Sequence, residues 1–174
     1  MKPIRTLLML VRRFRLRRLT HMGRGAVVLG LVIVRGTGRI LIGDDVRFEA
    51  TQAAIDLHAG PGAEIVVESG AVIESGCSIE ALRSVRIGAG ARLGAFTKVM
   101  DNHFHVVEGD RAQQPASEPV VVGPGAAIGP RAVILPGADI GRGARVGAAS
   151  VVSRRVPDGA DVYGFPVVVR TRAL

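Results

Sequence analysis

Val122-Gly-Pro-Gly-Ala-Ala, Ile128-Gly-Pro-Arg-Ala-Val, Ile134-Leu-Pro-Gly-Ala-Asp, Ile140-Gly-Arg-Gly-Ala-Arg, Val146-Gly-Ala-Ala-Ser-Val, then Val152: read in sixes, the stretch from Val122 to Pro157 repeats itself. An aliphatic residue opens every block, and a small one stands four places on, at Ala126, Ala132, Ala138, Ala144 and Ser150. Gly follows the aliphatic residue in four of the five full blocks. A hexapeptide period is the sequence form of a parallel β-helix. Its coils have three short flat faces, with the repeated aliphatic side chain stacked along the axis. The small residue also points inward, where little volume remains. Gly at the corners supplies backbone angles that other residues adopt only with strain.

Composition agrees with a narrow core. The 174 residues suit a single domain, and 48% are hydrophobic, yet there is no Trp, one Tyr and five Phe. A globular core leans on aromatics, whereas a β-helix interior is a column that Ile, Val, Leu and Ala fill best. Cys77 is the only cysteine, so no intrachain disulfide can form, which fits a reducing cytoplasm. It takes the small inward position of the block Ile73 to Ser78, and reads as core filler, not nucleophile.

The net charge of +8 is unevenly placed. Residues 1–24 carry eight Lys and Arg and no acid, so the remaining fifteen cations balance all fifteen acids. This basic segment has Ile4, Leu7, Leu8, Val11 and Phe14 at helical spacing, which predicts an amphipathic α-helix over 4–19. Leu7–Val11 is too short for a membrane span. The helix either caps the open end of the solenoid, as terminal repeats require, or rests on anionic lipid at the inner membrane face, making a cytoplasmic protein peripheral. A basic run without aromatics is a poor nucleic-acid motif, and no nucleic acid is expected.

From Ala26 to Val34 an apolar run predicts the first coil, within a β-helix domain spanning 25–163. Hexads begin at Ile42, weaken through 48–64, and return at Val67, Ile73 and Ile79. A two-residue slip at Val85-Arg86 shifts the frame before Ile87 and Leu93 resume it, and corner bulges account for such slips. Residues 100–120 break the repeat with His103, His105, Glu108 and Asp110 among others. A loop thrown out of a regular scaffold carries function more often than the scaffold does. The tail, 164–174, leaves the repeat, with Tyr163-Gly-Phe-Pro as a turn and Val167–Val169 as a closing strand.

The blocks from Val121 on, followed by Val156-Pro and Gly164-Phe-Pro, resemble the hexapeptide-repeat acyltransferases. Within them the chain is most similar to the maltose/galactoside O-acetyltransferase-like group and its polysaccharide-modifying relatives. The resemblance implies an all-β, left-handed parallel β-helix, a homotrimer with active sites between subunits, acetyl-CoA as donor, a saccharide acceptor and no metal. It sets Asp101-Asn-His-Phe-His105 on the family's acidic, histidine-containing motif, with His105 on the final histidine, Asp101 on the first acid and His103 in place of the second. It also places the pantetheine arm beside Gly129, Gly147, Ala148 and Ser150, with Arg154, Arg155 or Arg170 as phosphate partners or as solvated rim charges. The sequence departs from the family at Ala127, where a Trp is usual, and at Ala149, Arg155, Phe165 and Val168.

The implied chemistry needs these residue types. A sugar hydroxyl must lose its proton as it attacks a thioester carbonyl, and a neutral imidazole takes protons near neutral pH. Asp101 would hold one tautomer, and a corner N–H would meet the oxyanion. Two other readings of the same repeat are a non-catalytic scaffold or trimerisation module, and a gamma-type carbonic anhydrase. The second needs three metal-binding histidines, for which only His21, His58, His103 and His105 are present.

Overall fold

Aliphatic residues six apart bury one column per face only if the chain turns after every strand, and the computed structural model shows that winding. It describes residues 20–103, 116–165 and 168–170. The first coil holds β1 (His21–Met22) and β2 (Val27–Gly36), and the second β3 (Arg39–Ile42) and β4 (Arg47–Ala59). The third holds β5 (Glu64–Val67), β6 (Val72–Glu74) and β7 (Ser78–Ala81), and the fourth β8 (Ser84–Ile87), β9 (Arg92–Leu93) and β10 (Lys98–Met100). Next come β11 (Val120–Val122), β12 (Ala127–Ile128) and β13 (Val133–Ile134), then β14 (Asp139–Ile140), β15 (Arg145–Val146) and β16 (Val151–Val152). The stack ends with β17 (Asp161–Tyr163), on which β18 (Val168–Arg170) folds back antiparallel.

All other ladders are parallel, and no helix occurs among the described residues. This is a parallel β-solenoid of about six turns, consistent with the left hand that the resemblance implies. The first face is one sheet, β1-β3-β5-β8-β11-β14. The second and third faces join because β4 runs across their corner, its first half pairing β6 and its second half β7. The amphipathic helix expected over 4–19 and most of the loop lie outside the described residues.

The registers stack the predicted columns. On the first face Ile42, Val67, Ile87, Val122 and Ile140 are aligned. Phe48, Ile73, Leu93, Ile128, Val146 and Val162 align on the second, and Leu57, Ile79, Val99, Ile134 and Val152 on the third. All are buried, as are Ala126, Ala132, Ala138, Ala144 and Ser150 in the small inward position.

The glycines do two jobs where one was expected. Gly123, directly after its aliphatic residue, has ordinary φ, but a Cβ there would lie 2.6 Å from the Ile140 carbonyl oxygen and 2.8 Å from the Arg142 nitrogen. Coils touch at that point, and only a residue without a side chain fits. Two residues on, Gly125 has φ +66 with open space where a Cβ would stand, so it serves backbone conformation alone. Gly125→Ala should cost about 1 kcal/mol, whereas Gly123→Ala should cost about 3 kcal/mol because backbone must move. Urea unfolding of the two variants checks the difference, and equal losses would contradict it.

Irregularities have local causes. Between Phe48 and Leu57 the corner is longer than a hexad, and the Ser75 hydroxyl staples it, donating to the Glu49 carbonyl (2.6 Å) and accepting the Gln52 N–H (3.1 Å). The slip expected at Val85-Arg86 falls earlier. Val85 and Ile87 are both buried on the first face, and the extra residues are Leu82 and Arg83 at the preceding corner. That shift matters for the site.

Candidate active site

Two extra residues at a solenoid corner leave backbone amides without ladder partners, and buried unpaired amides are costly. Asp101 answers them from one coil further on. It follows Met100, which pairs Glu80, so its side chain enters the corner above Leu82. The carboxylate is fully buried and accepts the N–H groups of Leu82 (2.8 Å), Arg83 (2.7 Å) and Ser84 (2.7 Å). The carboxylate expected to hold an imidazole tautomer is hydrogen-bonded to the turn below.

The chain leaves the solenoid here and returns through a closed neck. The Glu118 N–H donates to the Asp101 carbonyl (2.8 Å), and buried Asn102 donates its Nδ2–H to Ser117 Oγ (2.9 Å). His103 stands exposed just outside the neck. His105 lies outside the described residues.

A second feature occupies the corner between the second and third faces. A groove of about 330 Å³ has Ala127, Gly129, Val146 and Gly147 as floor and Pro130 and Tyr163 at its walls. It exists because Ala127 is paired on both sides with arginines, Arg92 and Arg145, leaving a gap between two long side chains. Neither arginine is a spare cation. Arg92 pairs Glu74 (2.6 Å), and Arg145 forms two bonds to Asp161 (2.8 and 2.9 Å). The bond to Asp161 raises the Arg145 pKa further above its ordinary value. An uncharged floor with neutralised rims suits an apolar, amide-containing arm better than a phosphate.

Of the residues expected at the donor, Gly129 and Gly147 line this groove, and Ala148 is exposed at the same corner. Ser150 is buried, its hydroxyl accepting the Gly164 N–H (2.9 Å), so its side chain braces the corner from within. Arg154 and Arg155 sit above the Asp101 corner, Arg155 being 3.9 Å from Asp139. The side chain of Arg170 is not among those described. One chain therefore gathers the glycines at one corner and Asp101, His103, Arg154 and Arg155 at another. Tyr163, Arg92 and Arg145 were missed as groove residues. Comparing the position before each inward aliphatic (Arg92, Ala127, Arg145) would have exposed the gap.

Cys77 is buried, its thiol donating to the Gly94 carbonyl (3.2 Å), and burial pushes its pKa up to about 11. The thiolate is then roughly a thousandth of the population at pH 8. Native protein should resist iodoacetamide at pH 8, whereas urea-unfolded chain should take one label. Rapid labelling of folded protein would contradict this. Among the described residues no three His, Cys, Asp or Glu side chains converge as a metal set.

Residues 119–154 match the family described as bacterial transferase hexapeptide (six repeats). No curated relative matches the chain in sequence. Among solved structures, the fold is similar to AntD, an N-acyltransferase from Bacillus cereus in complex with dTDP and 3-hydroxybutyryl-CoA. The TM-score is 0.76 at 16% identity, covering 94% of this chain and 87% of that one. It is also similar to the hexapeptide-repeat acetyltransferase VCA0836 of Vibrio cholerae, complexed with acetyl coenzyme A, with TM-score 0.54, 20% identity and coverage of 92% and 74%. PerB of Caulobacter crescentus, in complex with CoA and GDP-perosamine, gives TM-score 0.54 at 24% identity, over 97% of this chain and 65% of that chain. At these identities the likeness establishes the fold.

Proposed function

We propose, for a chain that carries the bacterial transferase hexapeptide within a parallel β-solenoid, that it is an acyl-CoA-dependent acyltransferase acting on a saccharide. The observation that carries the reading is the groove at Gly129 and Gly147, where the resemblance implies that pantetheine lies, in a fold shared with proteins crystallised with CoA compounds. The donor is acetyl-CoA. The acceptor is a sugar hydroxyl, on a cell-surface polysaccharide or its precursor. The complexes of AntD and PerB with sugar-nucleotide ligands favour a second acceptor, a sugar amine on a nucleotide carrier.

The acceptor oxygen attacks the thioester carbonyl while His105, or His103 in its place, takes the hydroxyl proton. The tetrahedral intermediate collapses, the C–S bond breaks, and the imidazolium returns the proton to the departing thiolate. No covalent enzyme intermediate is involved. Asp101 and Asn102 act as positioning residues. The Asp101 carboxylate fixes the turn below, and the Asp101 carbonyl with the Asn102 side chain closes the neck that precedes the histidine segment. The donor glycines and the histidine segment leave different corners of one prism, which supports active sites shared between subunits of a homotrimer.

Thiol release from acetyl-CoA, followed across sugars, amino sugars and their nucleotide-linked forms, tests the reading. Turnover is expected with one acceptor class, and CoA alone should raise the melting temperature. A scaffold would show neither. Gly147→Trp, which fills the groove, should abolish the CoA shift.

A further inference from the structure

The two ends of the solenoid are finished differently. At the C-terminal end the chain closes the stack itself, β18 folding antiparallel onto β17. At the other end, among the described residues, β1 pairs only β3 and β2 pairs only β4. Their outer edges have no described partner, and such edges invite pairing unless covered. The edge is also apolar. Met22, Val27, Leu29 and Leu31 are 37–40% exposed, and a hollow of about 370 Å³ opens at Leu31–Val34. Val28 and Val34 continue the inward columns but are only partly buried, because no described coil lies beneath them.

We propose that the chain's own residues 4–14 dock on this first coil, with Ile4, Leu7, Leu8, Val11 and Phe14 against Leu29, Leu31 and Val34. The segment joins the fold at the right place. Thr20, its continuation, is bonded to Ile40 in both directions, its N–H donating to the Ile40 carbonyl (2.9 Å) and its Oγ1 accepting the Ile40 N–H (3.1 Å). Nineteen residues precede that anchor. Eleven residues at helical rise span about 17 Å, which matches the roughly 17 Å of strand from Leu29 to Val34. Tethering supplies a millimolar effective concentration, which favours this occupant over a second copy. With the apolar side inward, Arg12, Arg13, Arg15, Arg17 and Arg18 are left in solvent, where guanidinium groups belong. The proposal does not depend on the enzymatic reading.

The chain has no Trp, so Phe14→Trp in the full-length protein is a single reporter. Without lipid, its emission should be blue-shifted and its acrylamide quenching several-fold below that of the urea-unfolded chain, at all protein concentrations. Adding Leu31→Asp, or independently Leu29→Asp, should return quenching towards the unfolded value while the circular dichroism of the folded protein persists. Both positions are already exposed, so neither change should unfold the solenoid. Free quenching in buffer overturns the proposal. So does protection that appears only with phosphatidylglycerol vesicles, protection lost on dilution, or protection indifferent to both aspartates.

Discussion

Asp101→Ala should lower the unfolding free energy by about 4 kcal/mol, a far larger loss than that of Gly125→Ala. The native carboxylate is fully buried and accepts three backbone N–H groups, from Leu82, Arg83 and Ser84. Truncation leaves those amides dry and unpaired, at roughly 1–3 kcal/mol each before relaxation or water entry offsets part of it. Few single changes exceed about 4 kcal/mol, and breaking a buried network is one of the ways to do so. Asp101→Asn keeps one acceptor oxygen but turns an NH2 group toward an amide donor, so its loss should be intermediate. Urea midpoints at fixed protein concentration, with unchanged slope, measure both. A loss under about 1 kcal/mol for the alanine variant would mean that the turn is held by something else.

His105→Ala should reduce kcat/KM for acyl transfer by roughly 10²- to 10⁴-fold, the contribution of a positioned general base. The CoA-induced thermal shift should survive, because the donor groove is formed at a different corner. His103→Ala should have a smaller effect if His105 is the base, and the larger one if the roles are exchanged. Full turnover in both variants would remove the histidine mechanism while leaving the groove and its CoA test standing. The separation is useful: a folded protein that binds CoA but transfers nothing identifies the chemistry, and one that binds nothing identifies the scaffold.

Much of the fold was legible in the residues. The columns, the small inward positions and the inert Cys77 follow from a short period, because inward volume repeats every sixth residue. The irregular corners were harder. The slip was expected at Val85-Arg86 because Ile87 is where the frame visibly resumes, yet both Val85 and Ile87 face the core and the surplus sits at Leu82-Arg83. Counting along a chain locates an insertion only to within the residues that look alike. The glycines show a similar gap. Gly123 and Gly125 are two positions apart, and only coil contact separates the one that must lack a Cβ from the one that must adopt φ +66.

By itself, then, the sequence determined a solenoid, its axis and the place where its repeat breaks, since each is a matter of local periodicity. What the Asp101 carboxylate does was decided by tertiary structure. The amides it satisfies are 17–19 residues earlier, brought beneath it only because coils stack with a particular number of residues per turn. The groove has the same origin: Ala127 becomes a gap when Arg92 and Arg145 are stacked on either side of it. Neighbours across coils are set by winding, and winding sums every corner between them, including the irregular ones.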